Sequence, residues 1–352
     1  MSDKKTTYRE HTDMENTLKL RQVLATLPPF CKDYFRAIDT TTTAKTRISY
    51  AYDIRIFFQF LLDENPAFKD HAMTDFTVDV LDQIKAVDLE EYQEYLKLYQ
   101  SGDKTETNGE RGLKRKISAL RSFYAYYYKR EMIHTNPTVL IDVPKIHEKS
   151  IIRLDTDEVA MLLDYIEHCG DTLTGQKRVF YEKTKERDLA IVTLLLGTGI
   201  RVSECVGLDI EDIDFKNNGI KVTRKGGNEM VVYFGPEVEK ELKRYLEVRE
   251  GITPLAGHEH ALFYSAQRKR IGVQAVENMV KKYSRQITTT KKITPHKLRS
   301  TYGTALYQET GDIYLVADVL GHKDVNTTKK HYAALDDARR RQAATAVKLR
   351  EE

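Results

Sequence analysis

Two neighbouring stretches decide how this chain is read: TPHKLRSTYGTALY at residues 294–307 and LGHKDVNTTKKHY at residues 320–332. Thr294 suits a helix N-cap and Pro295 the first helical position, so a helix is predicted to start there. His296 and Arg299 then lie three apart on one face of its first turns. Free N–H groups and positive partial charge at a helix start can receive a phosphate. A second helix is predicted over Asp312 to Leu320, with Ile313, Val316 and Leu320 as its apolar stripe. Gly321 supplies its C-terminal stop, followed at once by His322. Asn326-Thr327-Thr328 has the composition of a further cap, and Tyr332 follows.

Each of these residues alone is more readily a packing or solvated group than a chemical one. One tyrosine among 21 says little. The joint order H-x-x-R, L-G-H and tyrosine is far more specific, and it resembles the C-terminal signature of the tyrosine recombinases, the phage-integrase family.

Outward from that stretch, composition sets the frame. The 352 residues suggest about two domains. With 41% hydrophobic and 31% charged residues the chain can build real cores. No apolar run is long enough for a membrane span, and MSDKKTTYRE lacks a signal-peptide apolar region, so a cytoplasmic protein with no membrane partner is expected. The net charge of +3 does not itself indicate nucleic acid, so local clustering must carry that argument. Cys31, Cys169 and Cys205 are scattered, which supports neither a disulfide framework nor a zinc site.

In chain order, residues 1–39 read as a polar, partly helical lead-in with a short amphipathic helix ending at Pro28-Pro29. A clear helix is expected over Thr43 to Leu62, its core face formed by Tyr50, Ile54, Phe57, Phe58 and Leu61. Another follows at Val87 to Leu98, then a polar loop from Gln100 to Gly112. Leu113 to Arg130 places Lys114, Arg115, Lys116 and Arg121 beside an apolar stripe of Ile117, Leu120, Tyr124 and Tyr128. A solvated helix face and a DNA-facing one fit this pattern equally. Asn136-Pro137 ends that helix, and the charged segment near Pro144 reads as a linker. The domain division expected is a lead-in at 1–39, a helical DNA-binding domain at 40–142, a linker at 143–152 and a catalytic domain at 153–352.

In the second half, Asp155 to Ile166 is a helix and 167–186 a polar, basic insertion. Leu189 to Leu196 is apolar enough for a buried helix, broken by Gly197 and Gly199. Arg201 starts the next helix, and Glu204 lies three residues on, within pairing distance. Residues 220–234 read as a hairpin turning at Gly226-Gly227, with Lys225 at or near its tip. Helices at 237–249 and 273–285 lead back to the opening stretch, and Leu335 to Leu349 is a last helix.

The resemblance runs from about Thr43 to Tyr332. TRISYAYDIRIFFQFL and ISALRSFYAYY are similar to helices of the family's core-binding domain. LLLGTGIRVSECVGL is similar to the motif carrying its first catalytic arginine, and RKGG to the place of its hairpin lysine. KERDLAI, TRKGG and TPHKLR look most like the Xer branch, including its single-recombinase group. The fold implied is mainly α: a helical core-binding (SAM-like) domain and a mostly helical catalytic domain with a small antiparallel sheet. The activity implied is site-specific cutting and rejoining of duplex DNA through a 3′-phosphotyrosine. It would serve chromosome-dimer resolution or the integration and excision of a mobile element.

Under that resemblance, Arg201 and Arg299 clamp the phosphate, because planar, permanently charged guanidinium groups suit its oxygens. Tyr332 is the nucleophile, His296 handles its proton and His322 hydrogen-bonds the phosphate. Lys225 protonates the leaving 5′ oxygen, and Glu204 orients a neighbouring base or arginine. The core-binding residues expected against DNA are Thr46, Arg47, Lys114, Arg115, Lys116 and Arg121. No metal or other cofactor is expected. Partners implied are double-stranded DNA sites, a tetramer assembled on two of them, and an accessory DNA translocase or excision factor. A type IB topoisomerase-like strand relaxer and a non-catalytic DNA-binding regulator are the competing readings. Sequence specificity separates the recombinase from the relaxer, and covalent-adduct formation separates both from a regulator.

Overall fold

Helix starts in this chain are set by local chemistry that recurs along it. Thr7 accepts the Glu10 N–H at 3.2 Å, and the Glu10 carboxylate accepts the Thr7 N–H at 2.7 Å, a reciprocal cap on the first helix. Thr43 accepts the Thr46 N–H at 3.3 Å and opens the longest helix. The computed structural model describes residues 7–147, 151–224, 227–322 and 324–326. Among the described residues there are fourteen α-helices, one two-stranded and one three-stranded antiparallel sheet. The fold is mainly α, as expected from the sequence. No helix among the described residues is long and apolar enough to cross a membrane. The chain divides into two compact units, Met1–Lys149 and Ser150–Glu352.

The first unit contains α1 (Tyr8–Leu24), α2 (Cys31–Ala37), α3 (Ala44–Glu64), α4 (Val80–Gln83), α5 (Ala86–Tyr95) and α6 (Glu110–Tyr128). Strands β1 (Leu98–Ser101) and β2 (Lys104–Thr107) lie between α5 and α6. Aromatic rings fill the centre: Phe30, Tyr34, Phe58 and Tyr127 surround Phe123 at centroid distances of 5.0–6.3 Å, mostly edge to face. The buried phenols keep hydrogen bonds, Tyr34 Oη to Ser122 at 2.9 Å and Tyr127 Oη to the Phe30 carbonyl at 2.8 Å.

Two expectations for this unit are corrected. The stretch before residue 40 is more than a lead-in, because α1 packs along α3 and Leu20, Val23, Leu27, Cys31, Tyr34 and Phe35 enter the core. Leu20 and Val23 face it from α1, and Cys31, Tyr34 and Phe35 from α2, on either side of the corner at Pro28-Pro29. The expected loop after Gln100 is instead the β1–β2 hairpin, paired from Leu98↔Thr107 to Ser101↔Lys104 and turned at Gly102, φ +60°. Its residues are almost all exposed, so no alternation of apolar side chains betrays it.

The second unit contains α7 (Thr156–His168), α8 (Gly175–Glu182), α9 (Lys185–Thr198), α10 (Val202–Gly207), α11 (Pro236–Glu250), α12 (Val273–Ile287), α13 (Pro295–Thr310) and α14 (Ile313–Leu320). Strands β3 (Ile213–Asp214), β4 (Gly219–Thr223) and β5 (Glu229–Tyr233) form a meander in that order. Helix α9 is buried all round from Asp188 to Leu195 and packs on α7, α11 and α13. Gly197 does not break it, contrary to expectation. It lies within the helix, where an added Cβ would come 2.4 Å from Val238 Cγ2, so the glycine lets α11 approach. Residues 167–186 are partly helical, and α8 is anchored by buried Tyr181, whose hydroxyl donates to the carbonyls of Ile166 and Glu167 at 3.0 and 2.6 Å.

Candidate active site

The end of α9 places the first arginine. Gly199 takes φ +62° as the helix C-cap, and a Cβ there would meet Tyr302 Cδ1 at 2.4 Å and Leu320 Cδ2 at 2.9 Å. Only glycine satisfies both the left-handed backbone and the close approach of α13 and α14. Two residues on, Arg201 is extended and caps α10. Buried Glu204 accepts the Arg201 N–H at 2.8 Å and its guanidinium Nη1 at 2.7 Å. Arg201 Nη2 reaches the Gly321 carbonyl at 3.3 Å, leaving the side chain about one third exposed (35%).

The second arginine comes from α13. Thr294 and Pro295 occupy the N-cap and first position as expected, although the Thr294 hydroxyl makes no capping hydrogen bond. His296 is exposed on the first turn, while Arg299 is 5% exposed. The Arg299 guanidinium donates to the carbonyls of Gly199 and Leu320.

Both arginines therefore meet the C-terminal turn of α14. Asp312 caps the start of that helix, accepting the N–H groups of Tyr314 and Leu315 at 2.8 and 3.1 Å. Gly321 ends it at φ +60°. The final carbonyls of a helix carry negative partial charge, which favours cations beside them. Half-buried His322 follows, its backbone N–H bonded to the Ala317 carbonyl at 2.9 Å.

A third arginine joins this cluster that the sequence reading did not select. Arg224 is 8% exposed, and its guanidinium donates to the Leu320 carbonyl and, at 2.7 Å, to the Val319 carbonyl. Burial and the charge of Arg201 pull its pKa below the usual arginine value, while Glu204 and Asp318 act against that. A signal was available: Ile220, Val222 and Arg224 alternate as the buried face of the strand, so period two points Arg224 inward. Lys225 and Tyr332 lie outside the described residues, as does the helix expected at 335–349. The structure thus brings together Arg201, Glu204, Arg299 and the turn bearing His322, with His296 one helical turn before Arg299. Among the described residues, no group of three or more His, Cys, Asp or Glu is placed to hold a metal ion.

The expected DNA-facing residues of the first unit divide. Lys114 is exposed, and Arg115 is half-exposed while paired with Asp53. Lys116, expected on the basic face, is buried. Its ammonium donates to Asn108 Oδ1 at 2.8 Å and lies 3.9 Å from Asp53, because α6 turns this position toward α3. Arg121 also points inward and holds the segment after α6 through the carbonyls of Thr138 and Ile141 at 3.0 and 2.7 Å. Arg47 is largely covered and paired with Asp39, and the Thr46 hydroxyl lies 3.0 Å from that of Thr43.

A mostly helical unit with a small sheet, gathering arginines from a helix start, a strand end and a post-glycine turn around one helix terminus, defines a class. The family model described as the phage integrase family matches residues 152–339, and the chain belongs to this family. It is a tyrosine-type site-specific DNA recombinase. The chain is 33% identical over 336 residues to the tyrosine recombinase XerC of Caldanaerobacter subterraneus subsp. tengcongensis, covering 92% of this chain and 88% of the relative. It is 31% identical over 338 residues to the tyrosine recombinase XerS of Lactococcus lactis subsp. cremoris, covering 90% and 93%. Among solved structures it resembles the Tn1549 transposon integrase in complex with a circular intermediate DNA, with TM-score 0.63, 20% identity and coverage of 90% and 98%. It also resembles the XerH site-specific recombinase bound to its difH substrate, with TM-score 0.60, 21% identity and coverage of 86% and 78%. At these identities the structural likeness is one of fold.

Proposed function

We propose that Tyr332 attacks the scissile phosphate of a duplex DNA site, forming a 3′-phosphotyrosine and releasing a 5′ hydroxyl that later reverses the step. The convergence of Arg201 and Arg299 on the end of α14, beside His322, carries this reading. Both guanidinium groups are held by backbone carbonyls, so their donors are oriented before a phosphate arrives. Such preorganised charge is effective where negative charge develops on the non-bridging oxygens. A bound phosphate would compete with those carbonyls for the same donors. Glu204 orients Arg201 through its bidentate contact, His322 donates to a phosphate oxygen, and His296 takes the tyrosine proton. Lys225 gives a proton to the leaving oxygen.

The first unit contacts DNA through exposed Lys114 and half-exposed Arg115. The working assembly is a tetramer on two sites in the cytoplasm, in chromosome-dimer resolution or in movement of a mobile element, directed by a DNA translocase or an excision factor. A suicide substrate nicked beside the cut traps the reaction, because the released fragment diffuses away. Wild-type protein should yield a denaturation-resistant DNA adduct. Tyr332→Phe should bind the site equally well and yield none. Mapping the adduct to another tyrosine would overturn the assignment.

A further inference from the structure

We infer that Arg224 is a positioning residue for phosphate cleavage, acting through the α14 terminus that also holds Arg299. This rests on the proposed phosphate clamp. Three observations carry it. First, both Nη groups of Arg224 bind consecutive carbonyls of the last turn of α14, Val319 and Leu320, and Arg299 binds the second of these as well. The two guanidinium groups share one acceptor, so removing the first changes the seat of the second.

Second, the guanidinium lies against Gly321. A Cβ on that residue would fall 1.9 Å from Arg224 Nη1, so the Arg224 side chain fills the space that the glycine leaves. The turn between α14 and His322 is thereby backed by Arg224 on one side and bonded to Arg201 through the Gly321 carbonyl on the other. Third, Arg224 is fixed at its own backbone. Its N–H donates to the Asn228 carbonyl at 2.7 Å, and its carbonyl accepts the Gly227 N–H at 3.0 Å, closing the β4–β5 turn. These two bonds tie the strand end that holds Arg224 to the start of β5. Buried Glu204 and exposed Asp318 offset part of the added positive charge.

A lysine cannot replace this arginine, because one ammonium does not span two carbonyls in a planar fork. Single-turnover cleavage of the nicked substrate by Arg224→Met, Arg299→Ala and the double variant tests the inference, with thermal unfolding and DNA affinity measured alongside. Arg224→Met should cleave about 10²-fold slower, the scale of a misplaced reacting group. Its affinity for the intact site should stay within about threefold of wild type, since the Arg224 guanidinium is buried against the end of α14. The double variant should be no slower than Arg299→Ala alone, because one residue acts through the other. If Arg224→Met does not unfold cooperatively, Arg224→Lys keeps a charge on a single donor nitrogen and enters the same cycle. Multiplicative rate losses, or wild-type rate in Arg224→Lys, would overturn the inference. Wild-type rate in Arg299→Ala would instead overturn the clamp reading beneath it.

Discussion

Gly321→Ala tests the packing that assembles the arginine cluster. Two costs follow from the structure. The alanine must hold φ +60°, which costs an L-residue about 1–2 kcal/mol. Its Cβ would also sit 1.9 Å from Arg224 Nη1, so the guanidinium must leave the carbonyls of Val319 and Leu320. Losing hydrogen bonds from a buried charged group costs about 1–3 kcal/mol. Together the second unit should lose about 2–5 kcal/mol, a drop of roughly 4–20 °C in Tm for a unit of this size. Calorimetry of the full chain measures it, and the same substitution in an Arg224→Ala background separates the two costs. With the guanidinium gone, only the backbone cost of about 1–2 kcal/mol should remain. An equal loss in both backgrounds would refute the claim that Gly321 exists to admit Arg224.

Two further outcomes concern the first unit. Replacing Lys114 and Arg115 by alanine should weaken DNA binding and shallow the dependence of log affinity on log salt by about one to two, since each phosphate contact releases close to one counterion. An unchanged slope would remove both from the footprint. Burial raises the pKa of Asp53 to about 6, against the opposing pull of Arg115 and Lys116. Its unfolded value is about 3.9, so its stabilising contribution is full below about pH 4 and is lost as pH rises through about 6. Asp53→Asn has no such proton to lose. Urea unfolding from pH 4 to 7.5 should therefore show the variant gaining on wild type across that window, and a constant difference would refute the assignment.

The local grammar of this chain was legible because it depends on neighbours in sequence. Thr43 before an apolar helical stripe, Pro295 at a first helical position, Gly199 and Gly321 after apolar runs, and alternation through Ile220 and Val222 each impose a backbone conformation within a few residues. The family signature could be read for the same reason, since Arg201 with Glu204 and His296 with Arg299 sit at helical spacing. Packing decided the destinations of the charges. Arg115 meets Asp53 across 62 residues, and Arg224 meets Leu320 across 96. Local periodicity placed Lys116 and Arg121 on a basic helix, but whether each cation entered the interior depended on Asn108, Asp53 and the carbonyls after α6. The β1–β2 hairpin went unread because backbone pairing between exposed strands leaves no hydrophobic period. Gly197 was misread because its reason is Val238, a side chain on another helix. A sequence specifies where its backbone turns; only folding determines which side chain occupies the space a glycine leaves, because that partner is chosen by distance in space and the cost of burying a charge without one.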